Sequence, residues 1–343
     1  MNQSVKSLYF QLTSLIPIDW LKRNNPSRML LPYHHLVGDH PVPHIQHLYS
    51  FKTTKEFEND LDYLLKHFRP VSLDEILFKI KNKEPLDPNS FLLSFDDGLR
   101  EIYENVAPIL LRKGVPAVFF LNSAFLDNKD LFYRFKVSLI LDKIFSGEVT
   151  QTLLEIINGR LKEGGLYSGH LEQDLKRIDY PLRSISDLIG QDLGISFSDY
   201  LKEIQPFLNS DQVRWLISHG FHIGSHSIDH PIYSKISLAE QVRQTLESTE
   251  FLVDRFHLNY RVFAFPHLDI GVGMSFFEKL GLPLEPKIDV IFGNSNQKFE
   301  NYPQVLHRFI GENPQIPINL LIPGIISYGK LNCIFNKNRI KRD

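Results

Sequence analysis

The chain has 343 residues, 43% of them hydrophobic, enough for one barrel-sized core or two smaller ones. Its 38 Lys and Arg against 40 Asp and Glu leave a net charge of −2, which gives no electrostatic footprint for binding nucleic acid. Cys333 is the only cysteine, so an intrachain disulfide and cysteine–zinc motifs are excluded, and the composition fits a reducing compartment.

Residues 1–27 form an amphipathic segment. Gln3, Gln11, Asp19 and Lys22 interrupt its apolar residues, so no secretory signal of the usual form is expected. The stretch Leu8 to Trp20, followed by Lys22 and Arg23, has two readings: a helix packed on the domain, or a peripheral membrane contact. The same pair of readings applies at 313–343. There the apolar run Leu320 to Ile326 precedes a basic tail with Lys337, Arg339, Lys341 and Arg342, read either as a frayed charged terminus or as a membrane contact. No uninterrupted apolar stretch reaches the roughly 18 residues of a membrane span. The expected location is cytoplasmic, with the inner face of the membrane as the place where the termini would act.

Between the ends, short apolar runs alternate with helical patterns. Strands are predicted at 29–34, 91–95, 117–121, 222–226, 262–265, 290–293 and 305–309, several apolar on both faces as in buried parallel strands. Helix starts are marked by Thr53 with Glu56, Ser72 with Glu75, Asn209 with Gln212 and Ser237 with Glu240. The helix from about Leu99 is expected to end at Gly114. Residues 128–208 carry no strand pattern and read as a mostly helical insertion in a domain spanning 28–312. It is either a cap or interaction surface, or a decoration remote from the site. About seven strands with intervening helices suggest a parallel α/β barrel or a doubly wound sheet. The chemical motifs follow several different strands, which favours the barrel.

Two motifs carry the chemistry. Asp96 and Asp97 end an apolar run, and Gly98 permits a sharp turn after them. His226 and His230 are four apart just after another strand, and Pro231 closes the loop. Alone, the first describes an ordinary turn. The second, alone, describes one core and one surface histidine. Together, one carboxylate and two imidazoles make a three-ligand set for zinc with a position left for water. The same set suits other divalent metals such as Fe, Co or Ni.

Ser94-Phe-Asp-Asp-Gly98 resembles the first motif of the NodB-homology polysaccharide deacetylases, and His226-Ser-Ile-Asp-His-Pro231 resembles the second. Phe263-Ala-Phe-Pro266 is similar to the third, and Gly114 to Phe120 to the strand after the family's first helix. The resemblance covers roughly 28–127 and 211–312. It implies a distorted (β/α) barrel and a metal-dependent hydrolase acting on an acetylated carbohydrate, with zinc first among the metals. Asp97, His226 and His230 would bind the metal and Asp96 would be the general base. Pro266, His267, Asp269 and Arg308 would meet the substrate. Three departures stand out: Ala264 replaces the arginine that orients the base, His267 replaces a tyrosine, and Leu268 replaces a glycine. The late Leu-His motif that supplies a general acid is matched by Leu306-His307. Strand alternation can turn His307 away and leave Arg308 inside. His35 is the other candidate acid. Asp269 reads as a contact to sugar hydroxyls or as a turn residue before Gly271.

The expected activity is removal of acetyl groups from a polysaccharide or glycan precursor. A bound cation would activate water and polarise the carbonyl, with Asp96 taking the proton. Two rivals remain at this level. One is a weak or inactive barrel that binds a glycan or protein partner, motivated by Ala264 and His267. The other is a metal hydrolase of another small amide.

Overall fold

A computed structural model describes residues 3–342; residues 1, 2 and 343, at the extremes of the two terminal segments, lie outside the described residues. The chain divides into two compact units. The first comprises 1–38, 51–126 and 208–343, and the second 39–50 and 127–207.

The first unit is built on ten short strands: β1 Pro32–His34, β2 Arg69–Pro70, β3 Ser90–Phe91, β4 Leu93–Phe95, β5 Ala117–Leu121, β6 His222–Ser225, β7 Val262–Ala264, β8 Val290–Gly293, β9 Val305–His307 and β10 Phe309–Ile310. Eight of them form one parallel sheet in the order β10-β1-β4-β5-β6-β7-β8-β9, and β2 and β3 pair separately. Only Arg308 separates β9 from β10, so the two edges of the sheet meet and the barrel is nearly closed. The expected count of seven becomes eight because 305–310 changes partner midway. Leu306 and His307 pair with Phe292 and Gly293, whereas Phe309 pairs with Pro32. Gly293 permits this seam, since a Cβ there would stand 2.3 Å from His307 Nδ1.

The strands are buried on both faces, as their unbroken apolar runs require. Along β5, Phe119 packs with Phe95, Phe91 and Ile223 on one side. Val118 and Phe120 pack with Val262, Ala264, Phe292 and Leu306 on the other. The helix starts form where the caps place them. Thr53 with Glu56 and Asn209 with Gln212 make complete capping boxes, and Ser72 and Ser237 accept from the N–H of Glu75 and Glu240. The helix ending at Gly114 (φ 65°) begins with a wide turn, Ile102–Val106, just before Pro108. Proline has no N–H to give the preceding turn, and such widening accommodates the loss.

The described residues of both terminal segments fold onto the barrel. Helix Gln3–Ser14 packs on helix Ile318–Ile334, with Phe10 pressed against Gly324 and the Tyr9 hydroxyl donating to the Gly324 carbonyl at 2.8 Å. The reading of 313–343 as a frayed basic tail is therefore corrected: most of it is helix, and Arg342 is buried against Asp269 and Glu300. The second unit is helical, with helices at Tyr133–Phe145, Gln151–Glu163, Leu171–Lys176, Ser184–Asp192 and Phe197–Ile204 around buried Phe135, Ile157, Leu161 and Ile189.

Candidate active site and metal centre

Because the barrel strands are parallel, the residues that follow them gather at one end. His34 of β1 lies opposite Phe95 of β4, and the Asp96 N–H donates to the His34 carbonyl at 2.9 Å. His35 and the Asp96–Asp97 pair therefore leave the sheet as neighbours. Asp97 and Gly98 both take left-handed backbone, φ 69° and 66°. A Cβ on Gly98 would also approach Leu121 Cδ2 to 2.9 Å, so the turn needs glycine twice over. The turn brings both carboxylates to one imidazole. His226 Nε2 lies 3.8 Å from Asp96 Oδ2 and 3.7 Å from Asp97 Oδ1.

His226 follows β6, and its Nδ1 is 2.9 Å from the Ala264 carbonyl. A carbonyl only accepts, so Nδ1 carries the hydrogen and Nε2 presents its lone pair to the carboxylates. Burial pushes His226 down to about 4 against the pull of Asp96, leaving the ring neutral at pH 7 as a ligand must be. His230 is aimed by a local device in the motif. Ser227 Oγ accepts from the His230 N–H at 3.0 Å, and the Gln244 side chain accepts from Ile228 N–H at 2.9 Å. These bonds hold Ser227 and His230 at φ 72° and 63°, conformations that cost on the order of 1–3 kcal/mol each.

His230 Nε2 is 3.2 Å from Asp97 Oδ1, and the ligand atoms of Asp97, His226 and His230 all lie within 4.8 Å of one another, buried. Burial alone would raise the Asp97 carboxyl; His230, His35 and His226 outweigh it and hold it below the usual carboxylate range. Asp97 Oδ1 is buried without a well-aligned hydrogen bond. A carboxylate oxygen left unsatisfied between two imidazoles fits a divalent cation.

Asp96 has a different partner. Arg308 Nη1 and Nη2 bond Asp96 Oδ1 and Oδ2 at 2.7 and 2.8 Å, a fully buried bidentate pair. Nη1 also reaches Ser94 Oγ at 3.0 Å, and Nε and Nη2 reach Asn294 Oδ1 at 3.2 and 3.0 Å. Every guanidinium donor is thus engaged, over the rings of Tyr33 and Phe120. Burial opposes the Asp96 charge, but Arg308, His226 and His35 hold its carboxyl below the ordinary value. The expectation that Arg308 meets the substrate is corrected: at the junction of β9 and β10 its guanidinium is fully buried, with every donor spent on Asp96, Ser94 and Asn294.

His307, expected as an acid, faces the other way. Its side chain is wholly buried, with Nε2 3.0 Å from Glu300 Oε1 and Nδ1 accepting from Ser295 N–H at 3.4 Å. Asp269, expected at the sugar, is also wholly buried. It accepts from Asn294 N–H at 2.9 Å and Ser295 Oγ at 3.1 Å and pairs with Arg342 at 2.5 Å. Of the other expected substrate contacts, Pro266 is buried, and His267 is half-buried with its ring 4.6 Å from that of His230. His35 is the histidine brought to the carboxylates. Glu312 accepts from its N–H and pairs with its Nδ1, both at 2.8 Å, while 20% of its side chain stays exposed. Burial works against its charge, yet Glu312, then Asp97 and Asp96, raise His35 to about 10.

Two residues were invisible to sequence reasoning. Glu312 is 277 positions from His35. Asn294 ties the site together, donating to the carbonyls of Phe265 (3.1 Å) and His267 (2.6 Å) while accepting from Arg308. Its position just past β8 was its one available signal.

A near-closed parallel barrel carries, at one end, a carboxylate with two imidazoles that could hold a cation and a second carboxylate held by an arginine. The chain belongs to the polysaccharide deacetylase family, whose profile matches residues 83–282; it is a hydrolase of the type that deacetylates carbohydrates. The fold is shared with the Streptococcus pyogenes deacetylase PplD in complex with acetate (13% identity, 86% of this chain and 97% of that one, TM-score 0.52). It is shared with IcaB from Ammonifex degensii (16%, 86% and 96%, 0.51) and a polysaccharide deacetylase from Bacillus cereus (11%, 87% and 68%, 0.50). No curated protein matches the chain.

Proposed function

We propose that this protein removes acetyl groups from a carbohydrate with Asp97, His226 and His230 holding a divalent metal, zinc first, Asp96 as general base and His35 as general acid. The observation that carries this reading is the division of the aspartate pair: Asp97 faces two imidazoles, whereas Asp96 is clamped by Arg308. The chemistry supplied by a divalent cation there is polarisation of the acetyl carbonyl and acidification of a water. Asp96 accepts the proton of the attacking water, and the bidentate clamp keeps its carboxylate ionised and aimed. His35, charged through Glu312 and partly exposed, donates a proton to the leaving amine or alcohol. Asn294 donates to the carbonyls of Phe265 and His267 and so braces the backbone on both sides of the His267 N–H, the group that would serve the developing oxyanion. Arg308 also answers the objection behind the inactive-barrel reading, since the guanidinium missing at Ala264 is supplied from elsewhere.

The test is acetate release from N- and O-acetylated sugars with and without chelator. Chelation should stop turnover and added metal restore it; acetate release that survives complete metal removal sinks the proposal.

A further inference from the structure

We infer that the paired terminal helices form a docking surface for an anionic phospholipid bilayer. Helix Gln3–Ser14 and the turn after it expose Leu8, Leu12 and Leu15, spaced four and three apart and so on one face. Helix Ile318–Ile334 and its C-cap expose Tyr328, Leu331, Ile334 and Phe335, again on one stripe. Phe10 on the first helix and Ile322 and Ile326 on the second lie on the other, buried faces, so burial in the domain does not explain the exposed leucines. Trp20 is half-exposed beside the second helix, with Lys330 Nζ 3.6 Å from its ring centre.

The charge around these stripes selects the occupant. Segments 1–27 and 313–343 hold eight Lys and Arg against two Asp, a net +6, in a chain of net −2, so residues 28–312 carry −8. Arg342 is used internally, but Arg23, Lys337 and Lys341 are exposed. Exposed leucines, a tryptophan carrying Lys330 and a tyrosine, on segments with a net positive charge, match the apolar-over-anionic profile of a membrane interface. A second copy would bring like charge to like charge and is disfavoured. No helix among the described residues is long and apolar enough to cross a membrane, so the contact lies on the surface. This inference is independent of the chemistry at Asp96 and Asp97.

The experiment is co-sedimentation of the full chain with vesicles of phosphatidylcholine alone and of an equal mixture with phosphatidylglycerol. Binding is expected to the mixed vesicles only and should fall away at about 1 M salt, where screening acts within ~3 Å. K337Q with K341Q should lower the partition coefficient roughly 25-fold, about fivefold per charge. L15E with I334E should abolish it, while acetate release from a soluble substrate stays unchanged in both variants. Three results would overturn the inference: no sedimentation with mixed vesicles at low salt, binding indifferent to all four substitutions, or a wild-type dimer that L15E with I334E dissociates.

Discussion

Two buried clusters in this barrel look alike on paper. Asp97, His226 and His230 form one and Asp269, Glu300 and His307 the other, each with ligand atoms within 4.8 Å. They differ in what answers their negative charge. Arg342 threads the second, bonding Asp269 Oδ2, the Asp269 and Val272 carbonyls and Glu300. Among the described residues the ion-pair partners of Asp97 in the first are the imidazoles of His226 and His230, and Asp97 Oδ1 lacks a well-aligned hydrogen bond. Ligand spacing therefore does not separate the two clusters; the partner that answers their charge does, a guanidinium in one and imidazoles in the other.

The strongest way to break this contrast is at the aspartate pair. Asp96→Asn should cut turnover by about 10²–10⁴ with metal content intact, because only the base is lost. Asp97→Asn should lose metal and turnover together, measured by metal analysis beside acetate release. Full activity in Asp96→Asn would reject its role as base. In the second cluster, Arg342→Ala should leave metal content untouched but strand two buried carboxylates, costing about 3–5 kcal/mol in denaturant unfolding. A fall in bound metal instead would mean the clusters were misassigned. His35→Asn should slow turnover by at least ~10², the low end for a lost general acid, with metal retained. His307→Asn should act on stability alone. The smallest effect is expected from Glu312→Gln. A group with a raised pKa stays protonated to higher pH, so His35, held up to about 10, keeps its proton through neutral pH. Without Glu312 the alkaline limb of the kcat profile should move to lower pH. A limb that stays put would remove His35 as the acid.

What the sequence made legible was local. The Asp96–Asp97–Gly98 turn and the Ser227-braced His226/His230 loop are each encoded within a few residues, and so are the capping boxes. The partners that divide the roles are not. Arg308 meets Asp96 across 212 positions and Glu312 meets His35 across 277, and no periodicity records such pairings. Strand alternation correctly framed the choice between His307 and Arg308, but it could not say which faced inward. That was decided by Gly293, whose missing side chain leaves room for the His307 ring outside the site. The strand at 305–309 was also legible as a strand, yet its change of partner at Arg308 was not, because pairing is a property of two distant segments.

That change of partner has a consequence for when the enzyme can work. Arg308 is the residue at which the ring of strands closes, and it is also the clamp on Asp96. The Arg308–Asp96 pair joins residues 212 positions apart, so it forms only once the last strands have docked. On the mechanism proposed above, the base would be held ready only in a molecule whose ring of strands is complete, so the contact that aims it would also report that the fold is finished.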